Sequence, residues 1–319
     1  MKAVFLDFAT MGGGGLDPSS LQQRLPGIEI FETTPSARTA DRIRDAEFVL
    51  ANKVKLNAEN LASATALRFI GLTATGTDNV DLDVAKAQGI AVCNIRAYCT
   101  QSIVEHVIGT LLGLTHSLRP FNDAVRQGAW QNAEEFCMLD FPIRELSAMT
   151  LGIVGNGVLG KGVAQAAEFF GMNVIIARRR GDAGAANDGR VDFEEMLQQA
   201  DVISLHCPLN ETTRNLMGAD EFQAMKPDSI LINTARGGLV DSAALTAALT
   251  SGEIAAAAID VLPQEPPVDG DPLLDYSGNN LIVTPHIAWG TFEARQNAID
   301  ALAENIAAFQ RGEQRNRVV

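Results

Sequence analysis

Leu151-Gly-Ile-Val-Gly155-Asn156-Gly157-Val158-Leu159-Gly160-Lys-Gly-Val-Ala164 carries a short apolar run directly into G-x-G-x-x-G and then into an alanine-rich helical pattern. Gly155 permits a tight turn, Gly157 lets the backbone approach a pyrophosphate, and Gly160 lets helix and strand pack closely. The anion would face the helix N-terminus. The glycine spacing alone also fits a turn that binds nothing. Its place between strand and helix is what predicts a dinucleotide-binding βαβ unit, with Gly155, Asn156, Gly157, Val158, Leu159 and Gly160 as candidate cofactor contacts. Gly12–Gly15 fails the same test, because Leu16-Asp-Pro-Ser follows it and no helix opens there. A flexible loop is expected at that place.

Outward from the motif, strands are predicted at Leu151–Gly155, Val174–Ala177, Val202–His206, Ile230–Asn233, Ala257–Val261 and Leu281–Thr284. Six strands with helices between them match a doubly wound dinucleotide domain. Before them, Ala3–Leu6, Ile28–Phe31, Phe48–Ala51, Phe69–Leu72 and Ile90–Cys93 alternate with polar or helical stretches and predict a smaller parallel α/β domain. A long helix is expected from Gln101 to Leu118, opened by Thr100 as N-cap, and a second, amphipathic one over Thr291–Arg311. The last helix is inferred to return to the first domain. The expected organisation is 1–100, substrate domain; 101–287, inserted cofactor domain; 288–319, substrate domain again. Arg119–Ser147, with Trp130, Phe136, Phe141 and Pro142, is apolar without clean periodicity, which suits packing on a second copy in a homodimer. A surface loop on a monomer fits it as well.

A chain of 319 residues with 46% hydrophobic content has room for about two domains and a substantial core. A net charge of −14 argues against non-specific binding to nucleic acid or anionic membrane, and it requires any anionic substrate to be drawn by locally placed cations. Cys93, Cys99, Cys137 and Cys207 form no C-x-x-C pair and no close Cys/His cluster, so neither a metal site nor a disulfide framework is expected. Residues 1–8 are too short and interrupted for a signal peptide, and no apolar run reaches the ~18 residues of a membrane span. Cytoplasmic location is the expectation.

The second strand of the dinucleotide unit ends at Ala177, and Arg178, Arg179 and Arg180 follow where an NAD site places an acid on the ribose hydroxyls. Arginine there pairs instead with a 2′-phosphate, so NADP is the expected cofactor and NAD the alternative. A solvated basic turn on an acidic protein competes with that reading. Asp182 is the other candidate for a ribose contact, although it lies past Gly181.

Three further segments end strands or begin the loops after them: Asn233-Thr-Ala-Arg236-Gly-Gly-Leu-Val-Asp241, Asp260-Val-Leu-Pro-Gln-Glu265-Pro-Pro and Thr284-Pro-His286-Ile-Ala-Trp289. Ligands in open α/β sheets sit at that edge. Reducing a 2-keto acid needs a cation to hold the carboxylate and polarise the ketone, plus an acid to protonate the developing alkoxide. Arg236 suits the first task and His286 the second, while a carboxylate at Glu265 would favour the imidazolium. Singly, each residue also fits a plain structural role.

Jointly, these segments resemble the D-isomer-specific 2-hydroxyacid dehydrogenase family. The resemblance runs in order through T-A-T-G-T-D-N-V-D at 73–81, G-N-G-V-L-G at 155–160, L-H-C-P-L at 205–209, N-T-A-R-G-G-L-V-D, D-V-L-P-Q-E-P and T-P-H. M-K-A-V-F-L-D-F at the start, N-K-V-K-L at 52–56, F-C-M-L-D-F-P-I-R-E-L at 136–146 and H-I-A-W at 286–289 are most similar to its bacterial glycerate dehydrogenase (hydroxypyruvate reductase) branch. The resemblance implies a Rossmann cofactor domain inserted in a smaller flavodoxin-like α/β substrate domain. It implies that Arg236 binds the substrate carboxylate and carbonyl, that Glu265 pairs with His286, and that His286 moves the proton. It places backbone amides near Thr75 and Gly76 on the carboxylate and Asp260 beside the nicotinamide. Thr100, Cys207, Pro208, Thr234 and Ala235 fall where the family contacts its cofactor. Asn52 and Lys53 would face the substrate, or Lys53 would be a solvated loop lysine. Trp289 would close the pocket over a short side chain and favour hydroxypyruvate or glyoxylate, unless it is plain core. Ile95-Arg96-Ala97-Tyr98 departs from the family's usual Pro-Gly pair. Two other readings compete with this one: a non-catalytic dinucleotide-sensing regulator of the corepressor kind, and a formate dehydrogenase-like enzyme. The intact Arg, Glu and His set does not exclude the first, and those formate relatives lack the acid at Glu265.

Overall fold

Parallel strands covered by helices on both faces must be largely apolar, and the central strands of both sheets in this chain are. The computed structural model describes residues 1–12, 14–182 and 189–319, so Gly13 of the Gly12–Gly15 run lies outside the described residues. The chain divides into one unit of Met1–Cys99 with Gly290–Val319 and another of Thr100–Trp289.

In the first unit, β1 (Ala3–Phe5), β2 (Glu29–Ile30), β3 (Phe48–Ala51), β4 (Phe69–Leu72) and β5 (Ala91–Cys93) form a parallel sheet in the order β2-β1-β3-β4-β5. This is the flavodoxin-like order, which reverses direction between β1 and β3. Val4, Val49, Ile70 and Val92 stand side by side across it. The helix Phe292–Gln310 is capped by Thr291, whose hydroxyl accepts from the Ala294 amide at 3.2 Å. It buries Ala298, Ile299, Leu302 and Ile306. Gly71 of β4 makes that packing possible, since a Cβ there would stand 2.5 Å from Leu302 Cδ1.

In the second unit, β6 (Thr150–Val154), β7 (Asn173–Ile176), β8 (Val202–Leu205), β9 (Ile230–Asn233), β10 (Ala256–Ile259) and β11 (Leu281–Val283) form a parallel sheet in the order β11-β10-β9-β8-β6-β7. Beyond β7, a single parallel bridge joins Ala177 to Val191. That bridge stands where the third strand of a doubly wound dinucleotide fold lies. The direction reverses between β6 and β8, so the ligand crevice belongs at their carboxyl ends.

The helical reading of residues 101–118 needs correction. The helix is Thr100–Thr115, with Thr100 inside its first turn and not its cap, and a separate helix runs over Leu118–Arg126. Ser117 breaks the run by adopting a left-handed backbone (φ 48°), and Pro120 is tolerated in the first turn that follows. The second helix buries none of its side chains.

Candidate active site

At the carboxyl end of β6 the glycines do three distinct things. Gly155 has a left-handed backbone (φ 102°), and a Cβ on it would stand 2.6 Å from the His206 carbonyl carbon at the end of β8. Gly160 lies against the Gly155 carbonyl, so helix and strand touch there. Gly157 faces open space and caps the helix Val158–Phe169 without any side-chain hydrogen bond. The amides of that first turn are therefore left to an outside acceptor. This cradle fits a dinucleotide pyrophosphate. Helix Thr100–Thr115 packs beside it, with Thr100 Cγ2 3.2 Å from the place of a Cβ on Gly162. Thr234 contributes a buried hydroxyl with no hydrogen-bond partner among the described residues, just beyond β9.

Arg178, Arg179, Arg180, Cys207 and Pro208 line a cavity next to Gly155. Burial pushes the Cys207 thiol up, so it is a neutral lining group and not a nucleophile. The three arginines are not equivalent. Arg178 pairs with Asp192 at 3.0 Å, and Arg180 pairs with Glu194 at 3.2 Å and Glu221 at 2.7 Å. No ion pair joins Arg179 to a described residue, and its side chain is exposed. Arg179 is thus the one of the three that no described carboxylate engages. His206, just before Cys207 in the chain, is held down to about 4 by burial, and its Nε2 lies 2.8 Å from the Ser204 hydroxyl. It is a neutral, half-buried imidazole.

Adjacent strands β9, β10 and β11 bring the three expected catalytic segments to one edge. Asn233, fully buried at the end of β9, folds the next turn back: its amide donates to the Arg236 carbonyl and its oxygen accepts from the Ala235 amide. Gly237 then abuts the backbone of Leu262 and Pro263, where no side chain could fit. That contact sets the Arg236 loop against the loop that carries Glu265. One oxygen of Glu265 accepts from the Leu262 amide at 2.9 Å, and the other lies 2.6 Å from His286 Nδ1. Arg236 Nη1 donates to the Ala235 carbonyl at 2.7 Å.

His286 holds a left-handed backbone (φ 56°), a conformation that costs an L-residue about 1–2 kcal/mol. Asp260 over-determines it. The Asp260 carbonyl accepts the His286 amide at 2.7 Å, while its carboxylate accepts the Ile287 amide at 2.8 Å and the Ala288 amide at 2.9 Å. The Thr284 hydroxyl adds a fourth hydrogen bond at 2.6 Å. The Asp260 side chain is 1% exposed, so its acid is committed to the turn that carries His286. Sequence reasoning placed Asp260 beside the nicotinamide and missed this role. On helix Thr100–Thr115, His106 Nε2 lies 3.3 Å from the Thr284 hydroxyl. Trp289, half-buried, ends the second unit.

In the first unit, the loop after β3 is pinned from below. Asp7, 2% exposed at the end of β1, accepts the amides of Asn52, Lys53 and Val54 at 2.9, 2.6 and 3.0 Å. Thr75 and Gly76 follow β4 at the same edge, and among the described residues no hydrogen bond engages their amides. Ala97 takes the left-handed conformation (φ 57°) that glycine of a Pro-Gly pair would adopt without strain.

The description "D-isomer specific 2-hydroxyacid dehydrogenase, NAD binding domain" matches residues 108–288. The chain belongs to this family. It is an oxidoreductase that works with a nicotinamide dinucleotide and acts on 2-keto and 2-hydroxy acids. Among its relatives, the glycerate dehydrogenase of Methylorubrum extorquens is 46% identical over 319 residues, covering 99% of this chain and 98% of that protein. The hydroxypyruvate reductase of Blautia hydrogenotrophica is 34% identical over 316 residues, covering 98% of each. Among solved structures, an acyclic imino acid reductase in complex with NADPH and D-Arg superposes with a TM-score of 0.87 at 26% identity, covering 100% of both chains. Among the described residues no helix is long and apolar enough to cross a membrane.

Proposed function

We propose that this chain is a cytoplasmic, NADPH-preferring reductase of hydroxypyruvate and glyoxylate that yields the D-2-hydroxy acid. One observation carries the reading: His286 Nδ1 lies 2.6 Å from the Glu265 carboxylate, on the sheet edge that also holds Arg236. In the second unit, Arg236 binds the substrate carboxylate and polarises its ketone. Glu265 holds Nδ1, which leaves Nε2 of His286 as the nitrogen that gives a proton to the carbonyl oxygen. A reduced nicotinamide, when bound, supplies the hydride to the keto carbon. In the oxidative direction the neutral imidazole takes the hydroxyl proton back. In the first unit, the amides of Thr75 and Gly76 are assigned to the carboxylate and Lys53 to the polar end of the substrate. Trp289 is assigned to the short side chain, which favours hydroxypyruvate and glyoxylate over branched keto acids.

Thr100, Cys207, Pro208, Thr234 and Ala235 are assigned to the cofactor with the glycine turn, and Arg179 to a 2′-phosphate. The exposed apolar side chains of Trp130, Phe136 and Leu139 support a homodimer formed through this excursion. Steady-state rates with hydroxypyruvate, glyoxylate and pyruvate, each with NADPH and NADH, test the assignment. The highest kcat/KM is expected for hydroxypyruvate with NADPH. A strong preference for NADH would contradict the cofactor assignment, and absence of turnover on every short 2-keto acid would contradict the function.

A further inference from the structure

Helix Thr100–Thr115 reaches the turn that carries His286 at two points. Ser102 and His106 lie four residues apart, on one helix face. The buried Ser102 hydroxyl donates to the Ala288 carbonyl at 2.6 Å, after His286 in the chain. His106 Nε2 meets the Thr284 hydroxyl at 3.3 Å, before it. Counting protons fixes the direction of the second contact. The Asp260 carboxylate already accepts two backbone amides and is an acceptor only, so the Thr284 hydroxyl must spend its single proton on Asp260 at 2.6 Å. Thr284 then has only lone pairs for His106, whose Nε2 must carry the proton and donate it. The chain of bonds runs from His106 through Thr284 to Asp260, and from Asp260 to the amides on the far side of His286.

We propose that His106 is a positioning residue: through Thr284 and Asp260 it holds the left-handed turn that aims the His286 ring at Glu265. His106 touches neither substrate nor the reacting atoms in this account. The proposal rests on His286 being the proton donor, and its test separates the two claims.

The test compares kcat and KM for hydroxypyruvate, NADPH binding by nicotinamide fluorescence, and melting temperature in a set of variants. His106→Leu removes the donor and is expected to lower kcat by about 10- to 100-fold, the size of loss that follows from a misplaced catalytic group. KM and NADPH affinity are expected to move by less than about threefold, as for an interaction felt in the transition state. His106→Gln keeps an N–H donor at the end of the side chain and is expected to recover most of the lost kcat. If His106→Leu does not fold, Thr284→Val interrupts the same chain of bonds, with Thr284→Ser as its rescue. A kcat for His106→Leu within about twofold of wild type, or a loss that glutamine does not recover, overturns the positioning role. His286→Ala is run alongside. If it loses turnover while His106→Leu keeps it, only the positioning role falls; if it keeps turnover, both claims fall.

Discussion

Glu265 and His286 approach within 2.6 Å from loops that leave neighbouring strands β10 and β11. The carboxylate fixes which ring nitrogen bears a proton on its side, because an ionised acid accepts and cannot donate. Glu265→Gln tests this. A glutamine amide can donate to Nδ1 and select the wrong tautomer, so keto-acid reduction should lose kcat by about 10²-fold or more, with KM for the keto acid little changed. A kcat near wild type would remove Glu265 from the reaction.

Arg179 differs from its two neighbours by lacking an ion pair with a described residue. Arg179→Ala is expected to raise KM for NADPH by about tenfold or more and to leave KM for NADH nearly unchanged, as for one lost charge-assisted contact. Equal effects on the two cofactors would contradict a 2′-phosphate contact. Arg178→Ala breaks the Asp192 pair instead, and should cost stability before cofactor choice.

His206 sets a pH dependence of stability. Its imidazole is held down to about 4 from an ordinary value of 6.5 by burial. Between those values the unfolded chain binds the proton and the folded chain does not. The stabilisation is therefore complete above about pH 6.5 and is lost as pH falls towards 4. Melting temperature should drop between about pH 7 and about pH 5 in the wild type, and drop less steeply in His206→Phe. Parallel slopes would assign the acid sensitivity elsewhere.

Phe136 is 88% exposed and Leu139 76% exposed, on a segment whose preceding helix buries nothing. Phe136→Glu with Leu139→Glu is expected to convert a dimer into a monomer in sedimentation velocity. A wild type that sediments as a monomer would contradict the dimer outright.

The parts of this molecule that local sequence could specify were legible. The central strands of both sheets are runs of largely apolar residues between turn signals, and the glycine turn declares itself by standing between strand and helix. Arg236, Glu265 and His286 could be placed on one edge because each follows a strand of the same sheet. The rest depends on tertiary approach. Among the described residues, the place of the third strand of the dinucleotide fold is marked by the Ala177 and Val191 bridge, too short to show a period. The ion pairs of Arg178 with Asp192 and of Arg180 with Glu194 and Glu221 join residues 14 to 41 positions apart, which local sequence does not show. His106 reads as one polar position on an apolar helix, and its partner Thr284 is 178 residues away. Ser117 gave no sign of the left-handed break that divides the helical run.

The central claim is that His286 delivers the proton, and single-turnover reduction of hydroxypyruvate by His286→Ala loaded with NADPH tests it most directly. A loss of about 10²- to 10⁴-fold in the reduction step, with NADPH still bound, is the predicted result. Reduction at the wild-type rate in that variant would contradict the account.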